Sequence, residues 1–256
     1  MNENLIDQIV GEVTKKLGSG DASTVASACS MTEFVGTGLG DTIGLVIANV
    51  DHALHEAMGI DKKFRSIGIL GGRTGAGPHL MAMDEAIKAT NTEILSIDLA
   101  RDTKGGAGHG CLIIVGAEDV SDARRAIEVA LKELNRTFGD VYANDAGHLE
   151  FQYTARASYV LEKAFNAPLG TAFGLLAIGP AAIGVVLADI AVKAANVNVL
   201  GYSSPNKGTK DSNEVILTFS GDSGAVRQAL IAAREAGIVL LGALGETPKP
   251  ITEPYI

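Results

Sequence analysis

The chain repeats itself, and a repeat constrains the fold more than any single motif in it. The stretch DEAIKATNTEILS (84–96) lies over DIAVKAANVNVLG (189–201). Asp84/Asp189, Ala86/Ala191, Lys88/Lys193, Ala89/Ala194, Asn91/Asn196 and Leu95/Leu200 are identical, and most remaining positions are conservative exchanges. The correspondence extends both ways. CLIIVGAEDVSDARRAI (111–127) lies over EVILTFSGDSGAVRQAL (214–230), pairing Asp119 with Asp222 and Arg124 with Arg227. Upstream, RSIGILG (65–71) lies over TAFGLLAIG (171–179), and IANVDHALHEAMG (47–59) over TARASYVLEKAFN (154–166). A unit of roughly a hundred residues therefore occurs twice.

Each unit reads as strand, short helix, strand, helix, strand, glycine-rich loop, strand, helix. In the second unit the strands are expected near 150–157, 173–178, 197–203 and 214–219, and the helices near 158–166, 180–195 and 222–236. GDSGAVRQALIAAREAG opens on small residues, carries apolar positions at helical spacing, and offers Gly237 as a C-terminal stop. NVNVLGY and EVILTF, joined by the polar SSPNKGTKDSN, read as a hairpin with a long loop at its tip. Ahead of the repeats, Leu5, Ile6, Ile9, Val10, Val13 and Leu17 trace one helical face, and GSGDASTVASACS follows as a linker. Residues 1–31 are thus a peripheral extension, or alternatively a helix that docks on a partner protein.

The segment IGILGGRTGAGPHLMAMD (67–84) raises the question of a nucleotide site. A glycine cluster follows a strand and precedes a helix, and Asp98 ends the next strand, as in dinucleotide-binding units. The spacing G-x-G-x-x-G is not met, because Gly75 and Gly77 are followed by Leu80, and no G-K-[ST] phosphate loop occurs. The second unit has IGPAAIG at the same place, with no polar group for a phosphate. Other catalytic patterns are equally thin. His52, His55, His79, His109 and His148 are scattered; His52 and His55 stand three apart rather than in H-E-x-x-H spacing. No G-x-S-x-G elbow is present, and Cys111 opens an apolar strand without a local base. Neither catalysis, a cofactor nor a metal is expected.

A net charge of −9 and the lack of a basic patch argue against nucleic-acid binding. Cys29 and Cys111 fit neither a disulfide framework nor zinc spacing, which points to a reduced, cytosolic setting. MNENLIDQIVGEV lacks the basic and apolar regions of a signal peptide. The longest apolar stretch, 172–192, contains Pro180 and Asp189 and reads as strand, turn and buried helix rather than a membrane span.

KAANVNVLGY (193–202) followed by GDSGAVRQAL (221–230) resembles the bacterial microcompartment shell domain, and KATNTEILSI with GAEDVSDARRAI is a worn version of it. In each unit a strand and short helix stand before the usual start of that domain, which is similar to the circularly permuted tandem members of the family. YANDAGH (142–148) and the ending GETPKPITEPYI resemble members from propanediol-utilising compartments. The resemblance implies an α/β chain, in the α+β sense, of two ferredoxin-like domains, at 32–147 and 148–256. It implies a pseudo-hexameric homotrimer that tiles a shell in the cytoplasm beside other shell proteins, with pores for small polar metabolites such as 1,2-propanediol or glycerol. Residues 1–31 are the expected contact for cargo enzymes. A tandem ligand-binding or signalling module is the competing reading, and an enzyme a more remote one.

The resemblance also assigns residues. Lys88 and Lys193 match a lysine at the tile edge. The loops 101–110 and 203–212 match the loop around the symmetry axis, which places Thr103, Lys104, Gly105, Gly106, Asn206, Lys207, Gly208 and Thr209 at a central opening; both loops are longer than in single-domain members, which suits a closable opening. A second route within the subunit is expected at Gly75, Ala76, Gly77, His79, Tyr142, Asn144 and Asp145, where weak, multi-site hydrogen bonding would let a polyol pass.

Overall fold

The computed structural model describes residues 31–99, 110–208 and 213–256. The first unit contains β1 (Phe34–Gly38), β2 (Thr42–Ile47), α1 (His52–Met58), β3 (Ser66–Gly72), α2 (Gly77–Ala89), β4 (Glu93–Asp98), β5 (Cys111–Ala117) and α3 (Val120–Thr137). The second contains β6 (Val141–Asn144), β7 (Gly147–Thr154), α4 (Tyr159–Phe165), β8 (Ala172–Gly179), α5 (Ala181–Ala194), β9 (Val197–Ser203), β10 (Val215–Gly221) and α6 (Ser223–Gly242), followed by the short β11 (Lys249–Pro250). The antiparallel sheets have the orders β1-β2-β3-β5-β4 and β11-β6-β7-β8-β10-β9. Apart from β11 these are one order written twice, so the sequence repeat is a topological repeat.

Local chemistry repeats with it. α1 ends at Gly59 with φ +65° and α4 at the corresponding Asn166 with φ +54°, glycine and asparagine being the residues that tolerate the left-handed turn. In α3, Ala123, Ala126, Ile127, Ala130 and Leu134 form the buried stripe that packs on the first sheet, and Val226, Ala229, Leu230 and Ala233 of α6 do the same on the second. Gly68 lies under α3, where a Cβ would meet Ile127 at 2.9 Å; the equivalent Gly174 lies under α6, where a Cβ would meet Phe219 at 2.6 Å.

Three features differ from the sequence-based expectation. Each unit opens with an additional strand, β1 at the edge of its sheet or β6 between β11 and β7, whose short polar hairpin carries little hydrophobic periodicity. α6 runs through Gly237 to Gly242: Gly237 is buried where Leu187 and Leu149 would crowd a Cβ at 2.8 and 3.2 Å, so it serves helix packing rather than termination. The second sheet begins at Val141, ahead of the expected boundary between 147 and 148, because β6 pairs with β7.

The two units are joined through a shared seam. α2 lies against α4 and β7. Asp84, fully buried, accepts hydrogen bonds from Ser158 N (2.9 Å) and Ser158 Oγ (2.6 Å) at the start of α4, and pairs with Lys88 Nζ at 2.8 Å. The C-terminal strand and tail cross the same seam. Thr252 Oγ1 donates to Asn135 O (2.6 Å), and the Arg136 guanidinium lies 4.8 Å from the Tyr255 ring centre. The Asp140 carboxylate accepts from Arg234 Nη1 (2.6 Å), Tyr255 N (2.8 Å) and Ile256 N (3.0 Å).

Candidate functional site

The glycines of GGRTGAG are explained by what approaches them. A Cβ on Gly72 would fall 2.1 Å from His79 Nε2, and one on Gly77 would fall 1.6 Å from Glu150 Oε1. Gly75 turns with φ +72°. The loop is bare so that a histidine of its own helix and a glutamate of the other unit can pack against its backbone. Glu150 comes from β7, on which Leu149 and Phe151 face the second core while Glu150, Gln152 and Thr154 face α2. The strand is buried on both faces, so its polar alternate face is enclosed in the seam.

A cavity of about 540 Å³ opens there, walled by Thr74, Gly75 and Pro78 of the first unit and by the Asn144–His148 turn, Glu150, Asn213 and Glu214 of the second. A narrower cavity of about 60 Å³ adjoins it, walled by Ala76, Gly77, Leu99 and Phe165 among others. Gly75, Glu150 and Glu214 line both and so stand where the two adjoin. His148 Nε2 lies 3.0 Å from Glu214 Oε1, and Gln152 Nε2 donates to Glu150 Oε1 at 3.4 Å. Burial, reinforced by the nearby Glu214 carboxylate, pushes Glu150 up to about 8.

The structure thus brings together Gly75, Ala76, Gly77, Asn144 and Asp145 from the expected subunit path. Asn144 is committed to structure: its amide donates to Leu241 O (3.2 Å) and Glu246 O (2.8 Å), and its oxygen accepts from Ala146 N (2.9 Å) and Gly147 N (3.2 Å). Tyr142 belongs to the second core, its hydroxyl on Asp140 at 3.4 Å. His79 is fully buried against Thr42 Oγ1 (2.6 Å) behind the loop, and burial lowers it to about 4, leaving a neutral packing residue. Glu150 and Glu214 were not singled out from sequence. The polar alternation of HLEFQYT was the available signal for Glu150; Glu214 lies outside that run, just ahead of β10.

The remaining expected residues separate. Asn206, Lys207 and Gly208 form an exposed turn after β9, closed by Ser204 N donating to Lys207 O at 2.7 Å, with Gly208 at φ +87°. Thr103, Lys104, Gly105, Gly106 and Thr209 lie outside the described residues, as do residues 1–30. Lys88 is held in the seam by Asp84, Glu85 and Thr154, whereas Lys193 is exposed and pairs with Asp189 at 2.7 Å. His55 is tied to Phe64 O (2.8 Å) and does not converge with His52; among the described residues no group of acidic, histidine or cysteine side chains is arranged to hold a metal. Cys111 is buried and its thiol is pushed up to about 12 by that burial. No described helix is long and apolar enough to cross a membrane.

The BMC domain model matches the chain twice, over residues 66–145 and 172–247, so the chain belongs to the BMC-domain family of bacterial microcompartment shell proteins. The matches start at β3 and β8, leaving β2–α1 and β7–α4 ahead of the usual domain start in each unit, as a circular permutation requires. The shell protein PduB of Citrobacter freundii is 60% identical, with 100% of this chain and 99% of that protein covered. The crystal structure of a trimeric PduB shell protein superposes with a TM-score of 0.84 at 54% identity, covering 88% of this chain and 100% of that one. EtuB from Clostridium kluyveri superposes with a TM-score of 0.85 at 55% identity, covering 89% of this chain and 100% of that one.

Proposed function

We propose that three copies of this chain close into a pseudo-hexagonal tile of a microcompartment shell, and that the polar seam inside each copy is a route for small neutral polyols such as 1,2-propanediol or glycerol. The observation that carries the trimer is the contrast between two equivalent helices. On α2, Leu80 and Met81 are each 2% exposed because the second unit covers them; on α5 the equivalent Val185 and Val186 are 51% and 46% exposed. The covering side is bare in the same way. Leu161 of α4 is fully buried, while the equivalent Leu54 of α1 is 40% exposed, with Met58 and Ile43 exposed beside it. A protomer therefore presents an uncovered α2-type face at one end and an uncovered α4/β7-type face at the other. Such heterologous surfaces generate a closed ring, and two units per chain make three chains the equivalent of six.

The same comparison supports placing the polar route in the seam within the chain. Between protomers, Ile43 stands where Glu150 stands inside, and Ala182 where Gly77 stands, so that seam closes on apolar surface. A tile of this kind has no catalytic role. The Asn206–Gly208 turn, with residues 101–110, is assigned to the central opening, Lys88 and Lys193 to the edge between tiles, and residues 1–31 to cargo contact, all on the family resemblance. Electron microscopy of concentrated protein tests the tile: sheets or tubes are expected, with fewer for Lys193→Ala. Dispersed particles under all conditions would refute tiling, and wild-type sheet formation by the lysine variant would refute its edge role.

A further inference from the structure

We infer that the end of the seam beside the C-terminal turns of α2, away from the glycine loop, is a docking groove for an extended acidic segment of a partner protein. An open groove of about 560 Å³ lies there. Its walls carry Lys88 near the end of α2, Arg136 near the end of α3, Arg156 between β7 and α4, and Arg227 in the first turns of α6. Glu85 is the one acidic residue among the described lining, so in a chain of net charge −9 this groove is a local exception. The four cations differ in what they do for the fold. Lys88 pairs with Asp84 and Glu85 at 2.8 Å each, and Arg136 pairs with Glu133 at 2.8 Å and Glu85 at 3.8 Å. Arg156 and Arg227 are exposed, and neither guanidinium has an acidic partner among the described residues.

The repeat shows that this charge is not a by-product of the fold. At the equivalent place between protomers Lys193 and Arg124 remain, but Val239 and Asn49 stand where Arg136 and Arg156 stand here. Arg124 is moreover committed to Thr32 O. The faces assigned to ring closure, at Val185 and Val186 on α5 and Leu54 on α1, line no part of the groove. Its floor is already set: Tyr255 Oη accepts from Tyr153 N (3.0 Å) and donates to Gln152 Oε1 (3.2 Å), and Tyr153 Oη lies 2.6 Å from Ser223 Oγ. Little ordering is therefore needed on binding. A guanidinium holds a carboxylate through paired N–H···O bonds, and two uncommitted guanidinium groups can hold two carboxylates. The groove has the volume of roughly twenty water molecules, several times that of one carboxylate group. Its cations also stand on separate elements, so a chain bearing several carboxylates fits it better than one small anion.

The probe is a fluorescein-labelled peptide of alternating glutamate and glycine, titrated with the full-length protein at low ionic strength and read by fluorescence anisotropy. The protein is kept dispersed, because Lys88 is also assigned to the edge between tiles. Saturable binding is expected, weakened by added salt and absent for the counterpart peptide with glutamine in place of glutamate. Arg156→Ala/Arg227→Ala removes two exposed side chains that make no ion pair in the fold, and it should weaken binding by about tenfold. Arg125→Ala, which removes an exposed arginine of α3 outside the groove, should leave binding unchanged. No saturable binding by the wild type, or equal binding by the double variant, would overturn the groove. An equal loss in Arg125→Ala would overturn it in favour of diffuse charge attraction. Displacement of the peptide by inorganic phosphate at the same concentration would overturn the extended segment as the occupant.

Discussion

Asp140→Ala should be among the most damaging single substitutions in the chain. Asp140 sits in the short link between the two units, is fully buried, and accepts hydrogen bonds from Arg234 Nη1, Tyr255 N and Ile256 N at 2.6, 2.8 and 3.0 Å. Its removal leaves the largely buried Arg234 guanidinium without its carboxylate and releases the last two residues, whose Tyr255 ring underlies Arg136 of the first unit. Breaking a buried ion pair from one side costs about 3–5 kcal/mol. For a chain of this size that corresponds to a fall of roughly 6–20 °C in thermal midpoint. The control is Lys63→Ala, which removes a 2.8 Å pair with Glu93 whose side chains are both largely exposed; solvent screens that pair, so its loss should leave the midpoint close to that of wild type. Scanning fluorimetry at fixed protein concentration compares the two. If Asp140→Ala lowered the midpoint no more than Lys63→Ala, the link and tail would not be fastening the seam.

Glu150 makes stability depend on pH in a defined direction. Its folded value is raised from 4.5 to about 8, so its favourable contribution is full below about 4.5 and is lost as pH rises toward about 8. Glu150→Gln should therefore gain thermal midpoint on wild type between about pH 5 and 8.5, and a constant difference across that range would refute the shift. Gly77→Ala places a Cβ where Glu150 Oε1 lies, so it should displace that carboxyl group while the trimer mass is kept; crystals showing Glu150 unmoved would contradict this contact. In a Cys29→Ser background, Cys111 should resist an aromatic disulfide reagent until the protein is denatured, and rapid labelling of native protein would contradict its burial.

The architecture was legible because the repeat was. Aligning Asp84 with Asp189 fixed which helices, strands and loops correspond, and helical spacing located α4, α5 and the start of α6 closely, though not the end of α6 at Gly242. The opening strands β1 and β6 escaped because FVGTG and VYAN are too short to show alternation. Gly237 was misjudged because a glycine late in an amphipathic run looks alike whether it ends the helix or admits Leu187. At the site, the glycine loop and the YANDAGH turn were recognisable as non-repeated polar matter, and the fold does bring them together. Glu150 was not, since the alternating polar set Glu150, Gln152, Thr154 normally marks a solvent face. Only the packing of α2 across that face turns it into the inside of a cavity. Asn144 shows the converse: a polar residue in the right loop, with its oxygen already used by its own turn and its amide by Leu241 and Glu246.

The most direct test of the account is the absolute mass of the native protein by light scattering on a sizing column, measured for wild type and Val186→Asp. The account predicts three times the 26.4 kDa chain mass for wild type and a single chain mass for the variant, whose new charge lies on the uncovered face of α5. A wild-type monomer, or a Val186→Asp protein that remained trimeric, would contradict the claim that this face closes the ring.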